Sequence, residues 1–249
     1  MAWDDDIGDE PHGALRDAAP DLRTPIDPDA PVGGHHPPPA TSPIHETPEQ
    51  DWSVAATLVV PLLRPAEMHG TNLGRIDREQ LATEGLRSHA LPLVDDGPEG
   101  LTIAYAIPAG GFDVLINADH LLGWRIDPET LRATALRNLA AWSATQPWTD
   151  EVEGPRRLRS SDSGDGGDAA RILLPEVRAQ LAAQLGADAR VMVGLPERHL
   201  LVAGSLRADD PEFAGLFGDF VATRADGSDE PIDRRVFELV EGELRAFTP

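Results

Sequence analysis

The run VMVGLPERHLLVAG, Val191–Gly204, constrains the fold more than any other stretch of the chain. Apolar residues alternate on either side of Pro196-Glu197-Arg198, and a proline at that point starts a turn. A link this short joins antiparallel neighbours, because a parallel crossover needs a dozen or more residues. Glu197, Arg198 and His199 are therefore expected at the water-facing tip of a hairpin. His199 is the one member able to point back toward the sheet and interact with a ligand or partner.

Paired strands recur elsewhere. Leu101, Ile103, Tyr105 and Ile107 alternate along LTIAYAI, and a Pro-Ala-Gly-Gly turn leads into FDVLIN. Val236–Val240 and Leu244–Phe247 flank Glu241-Gly242-Glu243 and predict a closing hairpin. The apolar, β-branched run after Trp52 predicts a first strand around Ala55–Leu63. Helix starts stand at Asp127-Pro128-Glu129, Leu174-Pro175-Glu176 and Asp210-Pro211-Glu212, each with proline beside an acid in the first turn. A shorter helix is expected over Asp77–His89. In the helix after Pro211, Phe213, Leu216, Phe217, Phe220 and Val221 form an apolar stripe, expected to be core. Hairpins with helices interspersed predict an α+β fold, antiparallel hairpins packed with three to four amphipathic helices, and not a doubly wound parallel sheet.

Residues 1–51 differ from the rest. They hold ten of the 23 prolines and two Arg against twelve Asp and Glu, a net charge of −10. Such a segment buries too little apolar area to offset chain entropy, so a disordered acidic, Pro-rich tail is expected before one globular domain over 52–249. His12, His35, His36 and His45 lie in it, but their spacing fits no metal-ligand pattern.

Charge and missing residue types exclude several chemistries. The net charge of −22 argues against nucleic acid and against anionic membrane surfaces. All 21 basic residues are Arg. Without Lys there is no Schiff-base or P-loop lysine. Without Cys there is no thiol nucleophile, disulfide or thiolate zinc site. No apolar run approaches the roughly 18 residues that span a bilayer. The acidic start MAWDDDIGDE is unlike a signal peptide, so a cytoplasmic setting is expected. The same acidity is compatible with adaptation to salt.

Few residues suggest a site. Ser160–Asp168, SSDSGDGGD, carries Asp162, Asp165 and Asp168 but lacks the alternation and distal Glu of a calcium loop, so a flexible solvated loop is expected. Arg156, Arg157 and Arg159 form the one basic cluster, suited to clamp an anion or to pair with Asp150, Glu151 and Glu153. Asn138 falls on the apolar side of its helix between Ala135 and Trp142. A buried amide there must be hydrogen-bonded, to a neighbouring backbone segment or to a ligand. Gly-x-Ser-x-Gly, Gly-x-Gly-x-x-Gly and His-Glu-x-x-His are all absent, and neither metal nor cofactor is expected.

Over Leu101–Phe247 the order of features resembles the YtpQ family, a bacterial family without an established activity. The features are a strand pair, then ADHLLGWRIDPETLRATALRNLAAW with Asn138-Leu139, then ARILLPEVRAQL. A Pro-x-Arg turn with a Leu-Leu strand follows, here Pro196, Arg198, Leu200 and Leu201, and PIDRRVFELVEGELRAF closes the series. His199 stands where the family turn usually has Asp. The resemblance implies the fold and a cytoplasmic setting but no activity. The expected role is a non-enzymatic interaction or regulatory module with a protein partner. The alternative is a hydrolase or small-anion-binding protein built from Asp, Glu, His and Arg. The oligomeric state is left open.

Overall fold

In the computed structural model, which describes residues 50–77, 79, 91–109 and 111–248, the first element is a helix where a strand was expected. The Asp51 carboxylate accepts from the Ser53 amide at 2.8 Å and caps helix α1, Trp52–Leu58. A capping acid followed by Ala55 and Ala56 outweighs the β-branched residues around them. Only at Val59 does the backbone become extended, and strand β1 runs over Val60–Arg64.

β1 belongs to a mixed sheet with β2 (Thr71–Asn72), β3 (Leu93–Asp96), β4 (Thr102–Pro108) and β5 (Asp113–Leu115). Its order is β1-β4-β3-β2, with β5 also on β4, and all pairs but β2–β3 are antiparallel. Pro61 is tolerated in β1 because this strand is an edge and has one free side. The β4–β5 hairpin matches the expected one, pairing Pro108 with Asp113 and Ala106 with Leu115. Helix α2 (Ala118–Trp124) is capped reciprocally by Asn117 and His120, and α3 (Pro128–Ser143) by the Asp127 carboxylate on the Thr130 amide at 2.7 Å.

The second sheet is antiparallel throughout: β6 (Thr149–Glu153), β7 (Arg156–Ser161), β8 (Arg190–Glu197), β9 (Leu200–Leu206), β10 (Val236–Val240) and β11 (Glu243–Ala246). Its order is β11-β10-β8-β9-β7-β6. Alternation sends Val191, Val193, Leu195, Leu201 and Ala203 into a cluster with Val177, Leu181 and Leu185 of helix α4 (Pro175–Leu185). Met192, Leu200, Val202 and Leu206 meet Phe213, Phe217 and Val221 of helix α5 (Glu212–Asp226). Each of those three α5 side chains contributes roughly 1.5–3 kcal/mol on burial. Close approach of α5 requires glycine beneath it: a Cβ on Gly194 would stand 2.4 Å from Val221 Cγ2.

The result is an α+β fold whose sheets share a core, since Leu63, Leu101 and Leu139 pack in the same cluster as Leu181, Val193 and Phe237. Among the described residues no helix is long and apolar enough to cross a membrane. The helix expected over Asp77–His89 and the tail expected over 1–51 lie, apart from a few end positions, outside the described residues.

Candidate functional site

The β8–β9 bend does not face water as expected. Glu197 ends β8 with its side chain only 14% exposed, paired with Arg224 at 2.5 Å. Arg198 turns inward, its side chain 15% exposed, and its guanidinium meets Asp113 of β5 with Nη1–Oδ2 at 2.5 Å and Nη2–Oδ1 at 3.0 Å. Nε donates to the Gly166 carbonyl at 3.0 Å, and Glu230 lies 3.4 Å from Nη1. Arg64 of β1 reaches the same two carboxylates, 3.5 Å from Asp113 and 3.3 Å from Glu230. Two chain segments close over the bend. Ile232 donates to Pro196 at 2.9 Å, and Ala169 to Arg198 at 3.2 Å. Gly166, at φ +81°, lies where a Cβ would strike Arg198 Nε at 2.5 Å. The inward turn follows from charge: two guanidiniums and two carboxylates from distant segments neutralise one another at the join of the sheets.

His199 stays at the rim, with its side chain 40% exposed and Nε2 3.5 Å from Glu230 Oε2. Its Nδ1 is buried with no hydrogen-bond partner among the described residues, and no hydroxyl nucleophile is bonded to it. Burial raises the Glu230 carboxyl, but Arg198 and Arg64 outweigh it and hold the group below its ordinary value. A carboxylate held ionised in this way is a weak proton acceptor, so the cluster suits bracing better than general-base chemistry.

A second polar chain occupies the segment expected to be a solvated loop. Ser160 and Ser161 belong to β7, and Asp168 is fully buried. Asp168 accepts from the Ser161 hydroxyl, and from Ser163 through its amide at 3.1 Å and its hydroxyl at 2.7 Å. Arg171, 2% exposed, donates to Ser161 Oγ at 2.5 Å and Ser143 Oγ at 2.9 Å, and stacks 4.1 Å from the Trp148 ring centroid. Burial and the nearby Arg159 lower the basicity of Arg171, and Asp168 opposes them. Asp162 and Asp165 point outward, and no group of three His, Asp or Glu able to hold a metal occurs among the described residues.

Strand alternation divides the basic cluster. Arg156 lies on the α5 side, bidentate to Asp210 at 2.6 and 2.9 Å. Arg159 lies on the α4 side, ion-paired with Asp150 at 2.6 Å and facing Trp148. Arg157, exposed, lines a cleft of about 500 Å³ with Arg159 and the end of α4. The three do not converge on one anion. Asn138 donates to the Ala56 and Val59 carbonyls at 3.0 and 2.8 Å, tying α3 to α1 and the start of β1.

The feature that sequence reasoning missed is on α5. Phe213, Phe217 and Val221 are buried, yet Leu216 and Phe220 remain 48% and 44% exposed. With Leu158, Leu200 and Val202 of the sheet they line a cleft of about 410 Å³, rimmed by Glu151, Asp162 and Arg224. The stripe contained the signal: it is two i, i+4 rows, and a helix lying on a sheet buries one row fully. The cleft carries apolar side chains and no converging titratable pair, an arrangement that suits binding. Compared with known proteins, the chain matches no protein-family model, no curated protein and no solved structure.

Proposed function

We propose that this chain is a cytoplasmic, non-enzymatic interaction or regulatory module that receives a protein partner in the cleft beside α5. The observation that carries the proposal is the pair Leu216 and Phe220, half-exposed next to buried Phe213 and Phe217. Large side chains left bare in a groove, beside a sheet edge that ends at β6, are typical of a surface that binds another protein. Glu230 at the β8–β9 bend supports the same reading, because Arg198 and Arg64 hold its carboxyl below the ordinary value and leave it a weak proton acceptor. Kinship with the YtpQ family is part of the proposal, supported by the order of elements from Leu101 to Phe247, and it brings no activity with it.

Photo-crosslinking in the cells of origin tests this. A benzophenone amino acid in place of Phe220 is expected to capture a discrete partner, while one in place of Val54, equally exposed at 42%, captures none. Equal or absent capture at both positions ends the proposal.

A further inference from the structure

We infer that the partner of the α5 cleft is an amphipathic helix with a basic flank, lying alongside α5 over β7 and β6. This rests on the interaction reading above and names the chemistry of the occupant.

The argument begins with what α5 covers. Its buried row seats on β8 and β9 through Met192, Leu200, Val202 and Leu206. On the same face β7 offers Leu158, which is half-buried, and every residue of β6 is exposed. Strands lie about 4.8 Å apart, so β7 and β6 form a strip about 10 Å wide, the width of one helix. Leu216 and Phe220 face this strip from the side of α5 as the second i, i+4 row. A helix brings its own backbone bonds satisfied and offers only side chains, which is what an apolar groove accepts. An added strand would instead pair with the outer edge of β6 and leave Leu216 and Phe220 bare.

Charge selects among helices. Glu151 and Asp162 stand on the rim with no ionic partner among the described residues, while Arg224 is committed to Glu197 at 2.5 Å. The rim is therefore acidic and favours Lys or Arg beside the apolar stripe of the partner. A second copy of this chain, at −22, and its own residues 1–51, at −10, are disfavoured by the same charge.

The test uses the full chain and three labelled peptides of about four helical turns. One presents a Leu face with Arg flanks, the second has Glu flanks, and the third is the Arg peptide interrupted by proline. The Arg peptide is expected to bind and gain helical circular dichroism. Leu216→Asp with Phe220→Asp should weaken it by at least about tenfold, as should Glu151→Arg with Asp162→Arg. Glu176→Arg, exposed on α4 at the opposite face, should leave binding unchanged. Equal loss from Glu176→Arg, or equal binding of the Glu peptide, overturns the inference, because attraction would then be charge without a site. Equal binding of the proline peptide with amide shifts confined to 149–153 also overturns it, in favour of strand addition. Capture of a second copy of the chain at position 220 does the same. In each of these outcomes a distinct crosslink at position 220 keeps the interaction reading alive, whereas no crosslink there removes both.

Discussion

Arg198 at the β8–β9 bend and Asp113 of β5 form an ion pair at 2.5 Å that joins the two sheets, with both side chains at least 85% buried. Among the described residues, replacing Arg198 by Ala leaves Asp113 only Arg64 as an ionic partner, at 3.5 Å. Breaking such a buried pair from one side costs about 3 kcal/mol. Urea unfolding should show that loss, and Arg198→Met with Asp113→Leu should lose less than Arg198→Ala alone. Equal losses in the two variants would mean that packing, not the stranded charge, dominates.

Asp95 is expected to contribute to the pH dependence of stability in acid. Burial raises its carboxyl, but Arg132, with donors at 2.7 Å through Nε and Nη2, and the Tyr105 hydroxyl at 2.7 Å outweigh burial and lower it below 3.8. A depressed folded-state value means that the contribution is complete above the unfolded value and disappears as pH falls through the folded one. Glu230 carries the same sign. Urea midpoints should therefore hold near neutrality and decline from about pH 4 downward. Arg132→Met should lower the neutral midpoint and flatten that decline. An unchanged slope in the variant would remove Asp95 from the account.

Asp168 and Arg171 form a buried unit bridged by Ser161. Asp168→Asn keeps the shape but withdraws the carboxylate whose charge supports the buried guanidinium. A loss of about 3 kcal/mol is expected by thermal unfolding. Adding Arg171→Met should recover part of it, since the charge that needed compensation is gone. A double variant no better than Asp168→Asn would contradict this coupling.

Two glycines near α5 should respond oppositely to alanine. At Gly194 a Cβ would meet Val221 at 2.4 Å and Val202 at 2.9 Å, so Gly194→Ala should push α5 outward. Overpacking of that kind costs about 1–3 kcal/mol. Gly215 lies within α5 with nothing near its missing Cβ, and Gly215→Ala should stabilise by about 0.5–1 kcal/mol. Paired melting curves check both signs, and a stabilised Gly194→Ala would refute the close approach.

The sequence by itself determined which segments are helices and hairpins wherever local signals agreed. Proline beside an acid opens α3 and α4, and the Asp210-Pro211-Glu212 start gives α5. Strict alternation with turns too short for a crossover set the β4–β5, β8–β9 and β10–β11 pairs. It misjudged Ala55–Leu58, because a single capping acid decides between helix and strand where both propensities are present. Tertiary structure alone decided the direction of Arg198, whose partners Asp113, Glu230 and the Gly166 carbonyl are dozens of residues away and become neighbours only when the sheets meet. It alone turned Asp168 inward and left Leu216 and Phe220 bare. Periodicity specifies which side of a helix is apolar. Only the width of the surface beneath it specifies how much of that side is covered.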